Sequence, residues 1–155
     1  MQEKNVAEIL LVEDNQNDIE MVLRAFDKHN LANKVLVVND GQQALEYIFV
    51  TGPFSGRDIE DKPKIIILDL KLPKIDGLEV LRRVKYDERT KSIPVVVLTS
   101  SKEEKDVVES YRLGVNSYII KPVDFEKFVQ AVGDLGFYWL VMNKPPSFQE
   151  SNHGK

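Results

Sequence analysis

Four short apolar runs in this sequence end in residues able to do chemistry. ILLV (Ile9–Val12) runs into Glu13 and Asp14, and IIIL (Ile65–Leu68) into Asp69. VVVL (Val95–Leu98) runs into Thr99, Ser100 and Ser101, and YII (Tyr118–Ile120) into Lys121 and Pro122. Carboxylates, a hydroxyl and an ammonium are the set required to transfer a phosphoryl group to a carboxylate. If Glu13, Asp14 and Asp69 meet, they cannot comfortably all be ionised side by side. Either one is protonated or a cation sits among them, and hard oxygen ligands at this density suit Mg2+, with Mn2+ as a substitute. The metal and Lys121 would neutralise the phosphoryl oxygens, Thr99 would bond one of them, and Asp69 would attack. Taken singly, an Asp after a strand is more often a turn former or helix cap, and a Lys there is more often solvated. Four matching strand ends in one chain outweigh those plainer roles.

The elements that must position these residues are legible. The apolar runs, with a fifth at Val35–Val38, are β-branched and continuous, the pattern of strands buried on both faces of a parallel sheet. Helical stripes lie between them: Ile19, Val22, Leu23 and Phe26, then Ala44, Leu45, Ile48 and Phe49, then Leu78, Leu81 and Val84. Two more follow at Val107, Val108 and Tyr111 and at Phe125, Phe128, Val129 and Val132. Asn17 with Glu20, Asp76 with Glu79 and Ser101 with Glu104 read as helix-starting pairs, and Asp124 as the last cap. Gly114 reads as a helix stop. Gly133 and Gly136 weaken the last helix by about 1 kcal/mol each, which points to a bend or a close approach. Strand–helix alternation with right-handed crossovers predicts an α/β fold, a doubly wound five-stranded parallel sheet in the flavodoxin-like order 2-1-3-4-5. In such sheets sites form outside the carboxyl ends of the strands, and this order makes the first and third strands neighbours.

The bulk numbers agree. A chain of 155 residues fits one domain. A net charge of −4 opposes a broad basic nucleic-acid face. The absence of cysteine excludes disulfides and thiolate chemistry. The charged start is no signal peptide and no apolar run is long enough to span a bilayer, so a cytoplasmic protein with no membrane association is expected.

The motifs ILLVEDN, IIILDLKLPKIDG, VVVLTSS and YIIKP, in this order and spacing, resemble those of two-component response-regulator receiver domains, over about residues 8 to 140. The resemblance implies that Asp69 takes a phosphoryl group from a phosphohistidine of a partner histidine kinase. It implies Mg2+ ligation by Asp14 and Asp69, by Glu13 directly or through water, and by the backbone carbonyl of Lys71. It implies phosphoryl contacts from Thr99 and Lys121, a cis peptide at Lys121-Pro122, and Tyr118 as a switch aromatic coupled to Thr99. Lys71 and Ser101 stand where the family tunes dephosphorylation. By the same resemblance the kinase would dock near the first helix and the loop after Lys121. The pair Glu13-Asp14 replaces a common Asp-Asp, and Leu72 a common Met; neither disturbs the acceptor.

A single receiver domain is expected over 1–143, with an extended loop at 51–63, an aromatic helix extension at 135–143 and a flexible tail at 144–155. Too little chain follows Asp124 for an output domain, so output through protein contacts is expected. The segment LGFYWLVM is apolar around the whole helix, and its residues Phe137, Tyr138, Trp139, Leu140 and Met142 are candidates for a symmetric homodimer interface. The loop and the aromatic extension are similar to those of small regulators paired with bacterial phytochrome kinases. Alternatives are a phosphorelay intermediate or a motility-type receiver serving another kinase. Two other classes fit poorly. An FMN-binding carrier with this sheet order needs a phosphate loop after the first strand, where Glu13, Asp14 and Asp18 would repel phosphate. A phosphohydrolase using Asp69 as nucleophile would carry a second Asp where Lys71 stands, so a phosphoacceptor and not an enzyme is expected.

Overall fold

The computed structural model describes residues 7–137, with side chains described through Asp134. The strands are β1 (Ile9–Val12), β2 (Val35–Val38), β3 (Ile65–Leu68), β4 (Val95–Thr99) and β5 (Ser117–Ile120). The helices are α1 (Gln16–Asp27), α2 (Gly41–Phe49), α3 (Gly77–Tyr86), α4 (Glu104–Arg112) and α5 (Phe125–Phe137). The sheet is parallel throughout, in the order β2-β1-β3-β4-β5, as the alternation predicts.

The strand residues divide between two apolar layers because successive side chains point to opposite faces. Leu10, Val12, Ile66 and Leu68 pack with Ala44, Ile48, Val80 and Leu81 on the α2–α3 side. Ile9, Leu11, Ile65 and Ile67 pack with Val22, Phe26, Phe128 and Val132 on the α1–α5 side. Both faces of β1 and β3 are covered, which is why their runs are apolar without alternation.

Register then fixes the site. Val12 pairs with Leu68, so Glu13 and Asp69 leave the sheet side by side. Their amides donate to the carbonyls of Val38 (3.0 Å) and Val12 (3.1 Å), anchoring both acids at the sheet edge. Thr99 pairs with Ile120, and the Lys121 amide donates to the Thr99 carbonyl at 2.8 Å. Behind Asp69, Gly77 is a close-approach position: a Cβ there would lie 2.3 Å from the Asp69 carbonyl oxygen.

Two expected caps are corrected. Asn15, not Asn17, caps α1, its side chain accepting from the Asp18 amide at 3.0 Å. Both asparagines have an acid three residues on, and the earlier one wins because Glu13 Oε2 also accepts from the Asn15 amide (3.2 Å), turning the chain into the helix there. Ser101 does not cap α4, which begins after Glu103 without a side-chain cap; the Ser101 hydroxyl donates to buried Asp106 at 2.6 Å. Asp76 caps α3, and Asp124 accepts from the Lys127 amide at 3.0 Å. Gly114 ends α4 with φ 103°. Gly133 is a close approach: a Cβ there would lie 2.6 Å from the His29 ring.

The loop at 51–63 is packed rather than free. Arg57 lies 3.7 Å from the centroid of the Tyr47 ring and donates to the carbonyls of Tyr47 and Asp61, while Phe54 meets the same ring edge-on at 5.0 Å. Among the described residues no helix is long and apolar enough to cross a membrane. The expected dimer residues Tyr138, Trp139, Leu140 and Met142, the Phe137 side chain and the tail lie outside the described residues and side chains.

Candidate functional site

β1 and β3 deliver Glu13, Asp14 and Asp69 to one edge, where one carboxylate oxygen from each lies within 4.8 Å of the others. Glu13 and Asp69 are buried and Asp14 is exposed. β5 delivers Lys121, whose side chain is 10% exposed. Its ammonium donates to Asp18 Oδ2 at 2.6 Å, Glu13 Oε1 at 3.1 Å and Asp69 Oδ2 at 3.2 Å. All three of its N–H donors can be used in this way. The Lys121-Pro122 peptide is cis, as expected.

The electrostatics follow from four carboxylates around one cation. Burial, and then the neighbouring Asp69, push the Glu13 carboxyl up to about 7. For Lys121, burial alone would favour the neutral amine, but Asp18, Asp69 and Glu13 outweigh it and hold the ammonium above the ordinary lysine range. The acids thus exceed the cations present, and their donors are all hard oxygens. Glu13, Asp14 and Asp69 therefore fit a divalent cation of the Mg2+ or Mn2+ kind. Lys71, next but one to Asp69, donates its amide to Asp69 Oδ1 at 3.1 Å. An open cleft lined by Glu13, Asp14, Asp18, Asp69, Ser100 and Lys121 leads to these groups.

Thr99 is fully buried, and its hydroxyl oxygen accepts from the Ser101 amide at 3.3 Å. The Tyr118 hydroxyl donates to the Ser101 carbonyl at 3.1 Å. Its pKa is raised, by burial first and then by nearby acids such as Asp106 and Asp69. Tyr118 is therefore tied to Thr99 through Ser101, and Ser101 in turn to α4 through Asp106. Sequence reasoning missed two members of this arrangement. In the sequence Asp18 reads only as a charge on the loop, although its place in the first turn of α1 is a usable signal. Asp106 carried no signal, because an acid in a first helical turn is ordinarily solvated.

Comparison with known proteins matches residues 9–133 to the response regulator receiver domain. The chain belongs to the response-regulator receiver family. This receiver is 41% identical over 138 residues, 89% of the chain and 86% of the relative, to the probable methanogenesis regulatory protein FilR2 of Methanothrix harundinacea. It is 36% identical over 132 residues to the response regulator Rcp1 of Synechocystis, covering 85% of the chain and 88% of Rcp1. The crystal structure of the Mn2+-bound form of Rcp1 superposes with a TM-score of 0.76, over 90% of this chain and 98% of that one. The bacteriophytochrome response regulator RtBRR is 51% identical, over 96% of this chain and 90% of its own, with a TM-score of 0.74. The receiver is thus similar to phytochrome-associated regulators over most of its length.

Proposed function

We propose that this receiver takes a phosphoryl group onto Asp69 from the phosphohistidine of a partner histidine kinase and signals through protein contacts. The observation that carries the reading is the ammonium of Lys121, set 3.2 Å from Asp69 inside a carboxylate cluster that fits a divalent cation. An Asp69 oxygen forms the new O–P bond; the P–N bond breaks and its electron pair leaves with the imidazole. Glu13, Asp14, Asp69 and the Lys71 carbonyl would hold Mg2+, or Mn2+ in its place, which would supply charge neutralisation there. Lys121 supplies it from the protein side. Thr99 accepts the Ser101 amide through an oxygen lone pair, so its hydroxyl hydrogen stays free to donate to a phosphoryl oxygen. A Thr99 displaced toward that oxygen pulls on Ser101 and so on the acceptor of Tyr118, which supports Tyr118 as the switch aromatic.

The chain acts as a phosphoacceptor and not as an enzyme on a separate substrate, since Lys71 stands where a hydrolase would carry its acid. Similarity to the bacteriophytochrome response regulator RtBRR supports a phytochrome-type kinase as partner, with the cytoplasm as the expected place of that encounter. Similarity to FilR2 favours a second reading, a receiver serving another kind of kinase. Val108 and Tyr111 on α4 and Ile120 on β5 are exposed large apolar side chains and support a homodimer that uses this face with the aromatic extension. The acidic balance opposes a nucleic-acid partner. The test is incubation with acetyl phosphate and Mg2+ followed by intact mass. One phosphoryl increment on the parent and none on Asp69→Asn is expected; equal labelling of both overturns the assignment.

A further inference from the structure

The shortest contact of Lys121 is not to the acceptor and not to a residue of the metal cluster. It is to Asp18, at 2.6 Å, against 3.1 Å to Glu13 and 3.2 Å to Asp69. Asp18 stands outside the three acids whose oxygens converge on a cation. A divalent cation would draw on Glu13 and Asp69, the other two partners of the ammonium, whereas Asp18 stays committed to Lys121. Its backbone is fixed in turn, because the Asp18 amide donates to the Asn15 cap at 3.0 Å, and the Asn15 amide to Glu13 at 3.2 Å. The start of α1 is therefore tied to β1 at one end and to the lysine after β5 at the other.

We propose that Asp18 is a positioning residue for phosphoryl transfer: it holds the Lys121 ammonium beside Asp69, so that the cation meets the incoming phosphoryl oxygens without moving. The inference rests on the phosphoacceptor reading. A lysine side chain has four rotatable bonds and gives up rotamer freedom when its head is fixed. A 2.6 Å charge-assisted bond to a side chain anchored on α1 meets that cost before the donor arrives, which is electrostatic preorganisation. As the Asp69 oxygen bonds to phosphorus and acetate leaves acetyl phosphate with the P–O electron pair, the N–H aimed at Asp69 Oδ2 faces the transferred group. The N–H on Asp18 does not change partner.

The test is the rate of Asp69 labelling by acetyl phosphate at saturating Mg2+, followed by intact mass, for the parent and for Asp18→Ala, Asp18→Asn and Lys121→Ala, with the Asp18→Ala/Lys121→Ala double variant. Asp18→Ala is expected to lower the saturated rate constant about tenfold and to leave the half-saturating acetyl phosphate concentration nearly unchanged. Asp18→Asn keeps an acceptor oxygen and is expected to recover part of the loss. In the Lys121→Ala background, Asp18→Ala is expected to have no further effect, because its route to the reaction is gone. Mg2+ affinity, titrated without a phosphodonor, is expected to change less than about threefold, since Asp18 is not a ligand. Labelling of Asp18→Ala as fast as the parent overturns the proposal. So does an undiminished loss in the Lys121→Ala background, which would mark a purely structural role. Circular dichroism distinguishes misfolding of Asp18→Ala, in which case the smaller loss in Asp18→Asn and its disappearance in an Asp18→Asn/Lys121→Ala double variant decide. Failure of the parent to label would instead overturn the phosphoacceptor reading itself.

Discussion

Lys85 and Lys121 are both drawn partly out of water, and their surroundings treat them oppositely. Lys85, near the end of α3, donates to the carbonyls of Lys91 at 3.1 Å and Ile93 at 2.7 Å. Burial pulls its pKa down to about 8. Burial also works against the charge of Lys121, but its three acceptors are carboxylates and its pKa rises above the ordinary lysine range. Carbonyl dipoles fix where a lysine head sits without fixing its charge. Carboxylates fix both. The first arrangement staples the turn between α3 and β4, and the second keeps a full positive charge beside a nucleophile.

Lys121→Ala should slow Asp69 labelling by acetyl phosphate about a hundredfold, as the loss of one oxyanion-type donor does. A rate within threefold of the parent would mean that the cation beside Asp69 is not used. The next effect is on Glu13, whose carboxyl is raised from 4.5 to about 7. A raised folded-state pKa stabilises the fold fully below the unfolded value, and that contribution is lost as pH rises through the folded value. The metal-free parent should therefore lose about 1–2 kcal/mol relative to Glu13→Gln between about pH 4.5 and 7, read from urea midpoints with chelator present. Mg2+ should abolish the loss. A pH-independent difference would show that the acids share their charge in another way. The smallest effect belongs to Lys85. A depressed pKa gives stability that is present above the unfolded value near 10.5 and is lost as pH falls through about 8. Lys85→Met should gain about 1 kcal/mol on the parent between about pH 10.5 and 8, after allowance for solvent screening, in thermal melts.

Lys121 was legible in the sequence because it ends a strand, and strand ends face the site in an open parallel sheet. Lys85 was not, because a lysine in the last turn of an amphipathic helix is ordinarily solvated. Asp18 hid for the same reason among the polar residues that open α1. The loop at 51–63 read as an insertion because of its Gly, Pro and charge. Its order comes from Arg57 lying on Tyr47, ten residues earlier and on a helix, a pairing no local pattern encodes. The sequence pattern points to Asn17 as the α1 cap; Asn15 carries the same local signature, and its amide also contacts Glu13.

By itself, then, the sequence determined the strands, the helices, their order and the acids, hydroxyl and lysine that meet at the sheet edge. Hydrophobic periodicity is local, and right-handed crossovers leave few ways to connect it. The tertiary structure alone decided that Lys121 leans on Asp18, that burial beside Asp69 pushes the Glu13 carboxyl up and that Ser101 reaches Asp106. Those outcomes depend on distances and water exclusion across elements far apart in the chain. A charge separated by a few Å and buried is worth far more than the same charge in solvent, and only packing sets either quantity.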